Sequence, residues 1–343
     1  KRDATQVEEW LGNNDLHPIK PLASYHLGEY YFFKQDTLKS KNYLASVSPN
    51  DLSTQDRASY GFIYGVIQLD KRKYKDARKL FEFSRAHQFS ETEKLNYYEA
   101  FANYHLGEKV KALEGFEKTK NSDVFGTSSK FFIAKIQLEN GEVEEVIALA
   151  KEELSDDRTA TNSGFYQLIG EAYALKGDVA KADAYFERAI ELHPGRPTAA
   201  LYYQAGVSKF KIGNEDQAIE YLTEAGIQGG EYAHLSAFQL GRLYLKKKAF
   251  EDALFAYIEA SASEDETIKE EAYYQAARIN AKLGNFAEAI NYSDDYLKLF
   301  TDGMWIEETQ NLIAQSYLRT SNYDLAINHL QNIPLPKIND LQT

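Results

Sequence analysis

Apolar residues recur with helical spacing along almost the whole chain, and the pattern is clearest between residues 165 and 194. Large apolar side chains follow one another there at steps of three and four residues, so each of two helices carries one apolar stripe. These side chains are Tyr166, Ile169, Tyr173 and Phe186. Gly177 marks a tight turn between the stripes, and Pro194 cannot continue the second helix. The segment therefore predicts a helix–turn–helix hairpin.

Two small residues in this segment indicate where the helices cross. Gly170 lies in the first predicted helix and Ala182 in the second, at the places where the two helices are expected to cross. Only small side chains at a crossing let two antiparallel backbones approach each other closely. One such hairpin cannot bury its own apolar face, so we expect further copies on both sides of it.

The copies are visible when positions are counted so that Gly170 is position 8. Position 8 then recurs at steps of 34 to 37 residues, at Gly28, Gly65, Ala100, Ala134, Gly170, Gly206, Gly241, Ala277 and Ala314. Position 20 holds Ser40, Ala77, Ala112, Val146, Ala182, Ala218, Ala253, Ala289 and Ala326. The near-constant step through nine segments predicts a repeat protein.

This pattern resembles the tetratricopeptide repeat family over nearly the whole chain, with Tyr166 in place of Trp at the first aromatic position. The resemblance implies an all-α fold, a right-handed α-solenoid of about nine helix–turn–helix units. We expect one domain over residues 1–343, with nine repeats in residues 20–333. Residues 1–19 are expected to form a half repeat or, alternatively, a capping helix. Residues 334–343 are expected to form a tail that leads towards a further repeat.

Composition narrows the range of partners. The formal net charge is -13, which argues against nucleic acid as the main partner, because neutralising phosphates needs surplus Lys and Arg. No apolar run approaches the roughly 20 residues that span a bilayer. The chain contains no Cys, which excludes disulfides and thiol catalysis.

The sequence carries no recognisable catalytic motif. It lacks G-x-S-x-G, H-E-x-x-H, the phosphate-binding G-x-x-x-x-G-K and G-x-G-x-x-G. Its seven His residues are scattered singly, without acidic residues at metal-ligand spacing beside them. We therefore expect no enzymatic activity, no cofactor and no metal.

The family resemblance implies that the first helix of each repeat lines a concave face, and that position 5 points into it. That position is aromatic in seven repeats, as Tyr25, Phe62, Tyr97, Phe131, Tyr203, Phe238 and Tyr274. Large rings offer extensive contact area at low entropic cost, so we expect partner contact at Tyr97, Phe131, Tyr203, Phe238 and Tyr274. The alternative is that these rings pack against the neighbouring repeat.

Positions 9 and 13 of the repeats show a gradient of charge. Early repeats place Glu29, Asp70, Glu139 and Glu171 there, with Lys135 as the exception, whereas later ones place Lys211, Arg242, Lys246, Arg278, Lys282 and Arg319. A basic strip can select an acidic partner segment, so Arg242, Lys246, Arg278 and Lys282 are predicted contacts. The alternative is a solvated face whose lysines are offset by nearby Glu. Binding of the acidic tails of heat-shock chaperones is disfavoured, since no repeat has Lys at position 5 or Asn at position 9.

These observations favour a non-enzymatic protein–protein interaction scaffold that holds a protein or peptide segment. The Tyr-rich first helices, such as residues 25–33, resemble the long multi-repeat cell-envelope proteins of Bacteroidetes-type bacteria. That resemblance implies a part in a larger bacterial envelope assembly protein, in the periplasm or at the outer membrane, with the cytoplasm as the alternative. Two other functions remain open: the sensor or regulatory arm of a larger enzyme or transcription factor, and a glycan-binding module.

Overall fold

The computed structural model describes residues 4–14, 16–156 and 162–331. Those residues form nineteen α-helices and one short 3-10 helix, with no strand. The chain divides into two compact units, Lys1–Ala160 and Thr161–Thr343. Each unit is a row of helical hairpins, which confirms the predicted all-α solenoid.

The first unit contains α1 and four hairpins. Its helices are α1 (Ala4–Asn13), α2 (Lys20–Phe33), α3 (Thr37–Ala45), α4 (Thr54–Asp70), α5 (Tyr74–Ala86), α6 (Thr92–His105), α7 (Lys109–Thr119), α8 (Gly126–Glu139) and α9 (Val143–Leu154), with the 3-10 helix Pro49–Asp51 before α4. The helix expected near the beginning of the chain is present as α1, which packs on α2. Within the unit, each second helix packs on the first helix of the next hairpin.

The second unit contains five hairpins. Its helices are α10 (Ser163–Leu175), α11 (Val179–Glu191), α12 (Ala199–Ile212), α13 (Glu215–Ile227), α14 (Glu231–Lys246), α15 (Phe250–Ala260), α16 (Glu266–Leu283), α17 (Phe286–Leu299), α18 (Ile306–Arg319) and α19 (Tyr323–Gln331). The first helices of successive hairpins also touch, from α10 through α12, α14 and α16 to α18. The tail over 334–343 lies outside the described residues, and the single domain over 1–343 stays a prediction.

Every hairpin turn in the described chain contains one residue in the left-handed region. The residues are Gln35, Arg72, Gly107, Gly141, Gly177, Gly213, Lys248, Gly284 and Ser321. Glycine adopts a positive φ at no steric cost, which explains the five glycine turns, among them the turn predicted at Gly177. The other four turns hold residues with side chains at φ between 57° and 61°, where an L residue is strained by about 1–2 kcal/mol.

In the first eight hairpins the helix crossing is set by a pair of residues, at positions 8 and 24. Where position 8 is Gly, position 24 is a large buried side chain, as in Gly28–Leu44, Gly65–Phe81, Gly170–Phe186, Gly206–Leu222 and Gly241–Tyr257. A Cβ added to any of these glycines would fall 2.5 to 3.0 Å from the partner side chain. A bulky residue on one helix therefore requires a missing side chain on the other.

Three further crossings also bring the helices close together, although position 8 is not Gly. At Ala134 and Ala277, position 24 is itself small, as Ala150 and Ser293. The third hairpin keeps both Ala100 and the large Phe116, and here the glycine has moved to the second helix. It is Gly115, at which a Cβ would meet the Cβ of Ala100 at 2.6 Å. The helices of that hairpin thus approach closely although position 8 is not Gly.

Candidate functional site

The nine residues predicted to contact a partner all lie on first helices of hairpins and are divided between the two units. Tyr97 and Phe131 belong to α6 and α8 of the first unit. The other seven lie on α12, α14 and α16 of the second unit, and they are Tyr203, Phe238, Arg242, Lys246, Tyr274, Arg278 and Lys282. Because the second unit combines rings with the predicted basic residues, its first-helix face is the candidate site.

Four of the position-5 rings pack against an aromatic residue close to the beginning of the next first helix. The pairs and their centroid distances are Phe62–Phe89 at 4.6 Å, Tyr97–Phe125 at 4.5 Å, Tyr203–Tyr232 at 5.6 Å and Tyr274–Trp305 at 5.2 Å. Burial raises the pKa of Tyr97 and of Tyr203. These rings therefore join neighbouring hairpins, as the packing alternative expects, and only their remaining surface is open to a partner.

The other two predicted rings are also packed to different extents. Phe238 is buried, with its ring centroid 6.1 Å from that of Tyr257. Phe131 is half-buried on α8, beside Phe132 and within 6.0 Å of the ammonium group of Lys135. Partner contact by the five aromatic residues stays a prediction.

Glu270 fixes the stack between Tyr274 and Trp305. The hydroxyl of Tyr296 donates to Glu270 Oε1 at 2.7 Å, and the backbone N–H of Met304 donates to the same oxygen at 2.6 Å. The backbone N–H of Trp305 in turn donates to the Tyr296 hydroxyl at 2.9 Å. Burial and the bond to Glu270 raise the pKa of Tyr296, which keeps its hydroxyl a donor. The indole consequently lies parallel to the Tyr274 ring, with 1° between the planes.

A short motif recurs on α14 and α16: an aromatic residue, a Gln directly after it, and an Arg three residues after the Gln. The two copies are Phe238-Gln239-x-x-Arg242 and Tyr274-Gln275-x-x-Arg278. Arg242 Nη1 donates to Gln239 Oε1 at 3.5 Å, and Arg278 Nη1 donates to Gln275 Oε1 at 3.3 Å. Both arginines are exposed, and neither is ion-paired with a carboxylate in the described part of the chain. The same cation is thus presented twice, on neighbouring first helices.

The glutamines of this motif were missed in the sequence, although a signal was there. Gln204, Gln239 and Gln275 each follow the aromatic residue at position 5, in three consecutive hairpins. In the first of these hairpins position 9 is Val207, and Gln204 donates instead to Glu171 Oε1 at 2.8 Å. Reading position 6 together with positions 5 and 9 would have exposed the repeated Gln–Arg pair.

The charges of both arginines act on the buried hydroxyl of Tyr257. Burial raises the pKa of Tyr257, the charge of Glu271 raises it further, and the charges of Arg242 and Arg278 oppose this rise. Burial likewise raises the pKa of Glu271, against the opposing charge of Arg242. The charges of the two guanidinium groups thus oppose the charge of Glu271 at Tyr257.

The predicted lysines at position 13 already have contacts within the chain. Lys246 Nζ lies 2.9 Å from Glu215 Oε1, and Lys282 Nζ lies 4.2 Å from the centroid of the Phe250 ring. Both contacts reach the second helix of the preceding hairpin. Lys246 is thus ion-paired, whereas Lys282 and the two arginines at position 9 have no ion pair in the part of the chain that the structure describes. Arg242 also makes a ring contact, with its guanidinium carbon 5.9 Å from the centroid of Phe238. Partner contact at all four positions stays a prediction.

The first-helix face of the first unit has a different character. A cavity of about 720 Å³ opens there, lined by Val66, Leu69, Asp70, Arg72, Tyr74, Tyr97, Tyr98, Phe101 and His105. Burial lowers the pKa of His105, and the charges of Lys135 and Arg72 lower it further, so the imidazole is neutral at pH 7. The wall is mainly aromatic, and one carboxylate and one guanidinium contribute charges of opposite sign.

Neither a metal-binding group nor a membrane-spanning helix occurs among the residues that the structure describes. No group of three His, Asp or Glu side chains is arranged there to hold a metal ion. None of the described helices has the length and apolar character needed to cross a membrane.

Residues 163–195, 199–225 and 270–300 match the family model of the tetratricopeptide repeat. These segments cover the fifth, sixth and eighth hairpins, and the geometry of the other hairpins repeats theirs. These three segments are tetratricopeptide repeats. All three tetratricopeptide repeats matched in this way lie in the second unit. No curated protein matches the sequence.

Solved structures resemble this repeat protein in fold. The apo form of the quorum sensor NprR from B. thuringiensis has a TM-score of 0.55 and 18% identity, over 85% of this chain and 92% of its own. YrrB, a tetratricopeptide repeat protein with an unusual peptide-binding site, has a TM-score of 0.49 and 22% identity, over 58% of this chain and 100% of its own. At these identities the likeness concerns the fold alone.

Proposed function

We propose that the chain is a non-enzymatic scaffold whose second unit binds an acidic segment of a partner protein. The segment lies across the first-helix face of α14 and α16. The observation that carries the proposal is the pair formed by Arg242 and Arg278, two exposed guanidinium groups with no ion-paired carboxylate in the described chain.

Guanidinium chemistry makes a carboxylate the matching ligand. The group offers five N–H donors in a planar fork that can bind a carboxylate through two parallel hydrogen bonds. In each arginine, one nitrogen donates to the neighbouring glutamine, and this contact orients the side chain without neutralising it. The protein carries a net charge of -13, so any attraction of an acidic partner must be local to this face.

The test is binding of a fluorescein-labelled, Glu-rich peptide to the full chain, followed by fluorescence anisotropy. Hydrogen bonds to charged groups contribute about 1.5–3 kcal/mol, so Arg242→Gln and Arg278→Gln should each weaken binding at least about tenfold. Binding should also weaken as salt is added.

A matched control removes the same charge elsewhere in the second unit. Arg188 and Arg196 are exposed and paired with Glu191 and Glu224, away from the first-helix face. The double variant Arg188→Gln/Arg196→Gln should bind the peptide like the wild type. If Arg242→Gln/Arg278→Gln also binds like the wild type while its circular dichroism is unchanged, this function is refuted.

We extend this proposal to a place in the bacterial cell envelope, as the Tyr-rich first helices suggest. What supports it is only the resemblance of residues 25–33 to envelope repeat proteins. Fractionation of the source cell, with an antibody against the chain, should detect it in the periplasmic or outer-membrane fraction. Detection in the cytoplasmic fraction alone would favour the regulatory alternative.

A further inference from the structure

Arg242 and Arg278 present the same cationic group on two neighbouring first helices. Arg242 and Arg278 occupy the same repeat position on α14 and α16, and each donates to the glutamine three residues before it. The two helices touch, and as first helices of successive hairpins they run in the same direction. Helices in direct contact have axes about 8–10 Å apart. We expect a step of similar length between equivalent side chains on α14 and α16.

This step selects among the conformations of a bound segment. A polyproline II helix has three residues per turn and a rise of about 3.1 Å, so every third side chain faces the same way at intervals of about 9.3 Å. A β-strand returns to the same face every second residue, at about 6.6 Å, or every fourth, at about 13 Å. An α-helix reaches about 10.5 Å only after seven residues.

The groups around the arginines favour an extended segment over a helix. A polyproline II segment leaves its backbone N–H and C=O groups free, whereas an α-helix pairs them internally. Gln239 and Gln275 stand beside the arginines, and a glutamine amide offers two donors and an acceptor with two lone pairs. Aromatic-lined grooves are the usual docking surface for polyproline II segments, and Tyr274 on α16 and Tyr203 on the neighbouring α12 are half-buried rings.

We infer that the partner segment binds across α14 and α16 as a polyproline II helix that places an acidic side chain at every third residue. Successive carboxylates are held by Arg242 and Arg278, and Gln239 and Gln275 contact the backbone between them. This inference rests on the proposed function and adds the spacing and conformation of the ligand.

The first experiment compares labelled peptides of identical composition and net charge, made of Glu, Pro and Ala. One has Glu at every third residue, one has Glu at every second residue, and one has all Glu in a single block. The peptide with period three should bind to the full chain at least about tenfold more tightly than the other two. A helix-forming Ala-rich peptide with Glu at every seventh residue tests the competing geometry.

The outcomes separate this inference from the proposed function. Equal binding of the three permuted peptides, lost from each in Arg242→Gln/Arg278→Gln, would overturn the spacing and leave the proposed function standing. Tighter binding of the helical peptide would overturn the polyproline II conformation. No binding of any peptide would refute the proposed function, and the inference with it.

A second experiment determines the register by double-mutant cycles. Each Glu of the period-three peptide is changed singly to Gln, and each peptide is titrated against the wild type, Arg242→Gln and Arg278→Gln. Where an Arg and a Glu are in contact, removing either should weaken binding about tenfold, and removing both should weaken it little further. The two glutamates coupled to the two arginines should be three residues apart. A separation of two or four residues would contradict the inference.

Discussion

The two units share one hairpin design and both have ring pairs between hairpins, but the second unit also joins two hairpins through a buried cation. In the first unit the joints are rich in stacked rings, such as Phe116 on Phe132 at 5.0 Å and Tyr74 on His105 at 4.4 Å. In the second unit one joint contains a buried cation, Lys209, whose side chain is 8% exposed between Asp183 and Glu187. The crossing inside a hairpin fixes the fold, so the chemistry between hairpins is free to differ.

The first-helix faces of the two units also differ in their chemistry. The first unit presents an aromatic cavity with Asp70 and Arg72 among its lining residues. The second presents the repeated Gln–Arg motif, with Arg242 and Arg278 exposed. One repeat pattern therefore carries two different surfaces, and the residues that differ are those that the helix crossing does not constrain.

The largest expected effect is on the aromatic joints of the first unit. Phe116 is fully buried and stacks on Phe132 of the next hairpin, so Phe116→Ala should destabilise the first unit by about 3–5 kcal/mol. Hydrogen exchange of the full chain, read by mass spectrometry, should accelerate in α6 to α8. Leu222→Ala changes the same repeat position of the second unit and should leave exchange in α6 to α8 unchanged. Slow exchange in α8 of Phe116→Ala would show that stacking does not join the two hairpins.

The buried cation of the second unit should give the next largest effect. Lys209 Nζ lies 3.1 Å from Asp183 Oδ2 and 2.9 Å from Glu187 Oε1. Burial acts to lower the pKa of Lys209, but hydrogen bonds to Glu187 and Asp183 outweigh burial and raise it. Lys209→Met leaves two carboxylates without their cation, so the second unit should lose about 3 kcal/mol of stability. Urea unfolding combined with hydrogen exchange measures this loss.

The control for Lys209 is an exposed ion pair in the same unit. Lys246 pairs with Glu215 at 2.9 Å, but the lysine side chain is 57% exposed. Exposed pairs contribute about 0–1 kcal/mol, so Lys246→Met should change the urea midpoint little. If the two lysine variants lose the same stability, burial of Lys209 does not distinguish the joint of the second unit.

The third effect concerns the crossing that both units share. A Cβ on Gly170 would lie 2.6 Å from the Phe186 ring, so Gly170→Ala should destabilise the second unit by about 1–3 kcal/mol. Gly195→Ala is the control, because nothing lies within 4 Å of its added Cβ. Adding Phe186→Ser to Gly170→Ala recreates the small pair of the eighth hairpin. The double variant should be more stable than the sum of the two single losses predicts, and strict additivity would contradict the paired rule.

The fold was predictable from the sequence because each hairpin usually needs a small residue at the helix crossing and Gly at the turn. The family model matches the fifth, sixth and eighth hairpins, whose turns are Gly177, Gly213 and Gly284. The first, second, seventh and ninth hairpins place residues with side chains at the turn. The third has its crossing glycine displaced to Gly115, and the fourth has Ala150 at position 24. These hairpins keep the same geometry but lack one of the usual residues at the turn or the crossing. In the sequence, only the repeat period identifies them.

The candidate site was less predictable, because exposure depends on contacts between hairpins. The sequence singled out Arg242 and Lys246 equally, yet Lys246 is paired with Glu215 from the preceding hairpin. It likewise could not show that Tyr274 stacks on Trp305, since that ring is placed by hydrogen bonds through Tyr296. Side chains at equivalent repeat positions therefore differ in their freedom to bind a partner, and only their neighbours decide which are free.

The smallest expected effect concerns backbone strain at the hairpin turns, and tests whether this strain is the same in both units. Arg72 in the first unit and Lys248 in the second have φ of 57° and 60°. Replacing either by Gly removes about 1–2 kcal/mol of left-handed strain, while the greater freedom of Gly in the unfolded chain offsets about 0.5–1 kcal/mol. Arg72→Gly and Lys248→Gly should therefore each stabilise their own unit by about 0.5–1 kcal/mol, measured as a higher urea midpoint.

The control for the turns is the neighbouring residue. Lys73 is exposed and has φ of −88°, so Lys73→Gly relieves no strain and should not raise the midpoint. A rise for Lys248→Gly without one for Arg72→Gly would mean that contacts of Arg72 in the aromatic cavity offset its strain. The turn would then be a further point at which the two units differ. Equal rises would instead show that the left-handed turn, like the crossing, is a requirement of the hairpin itself, independent of the surface that the hairpin carries.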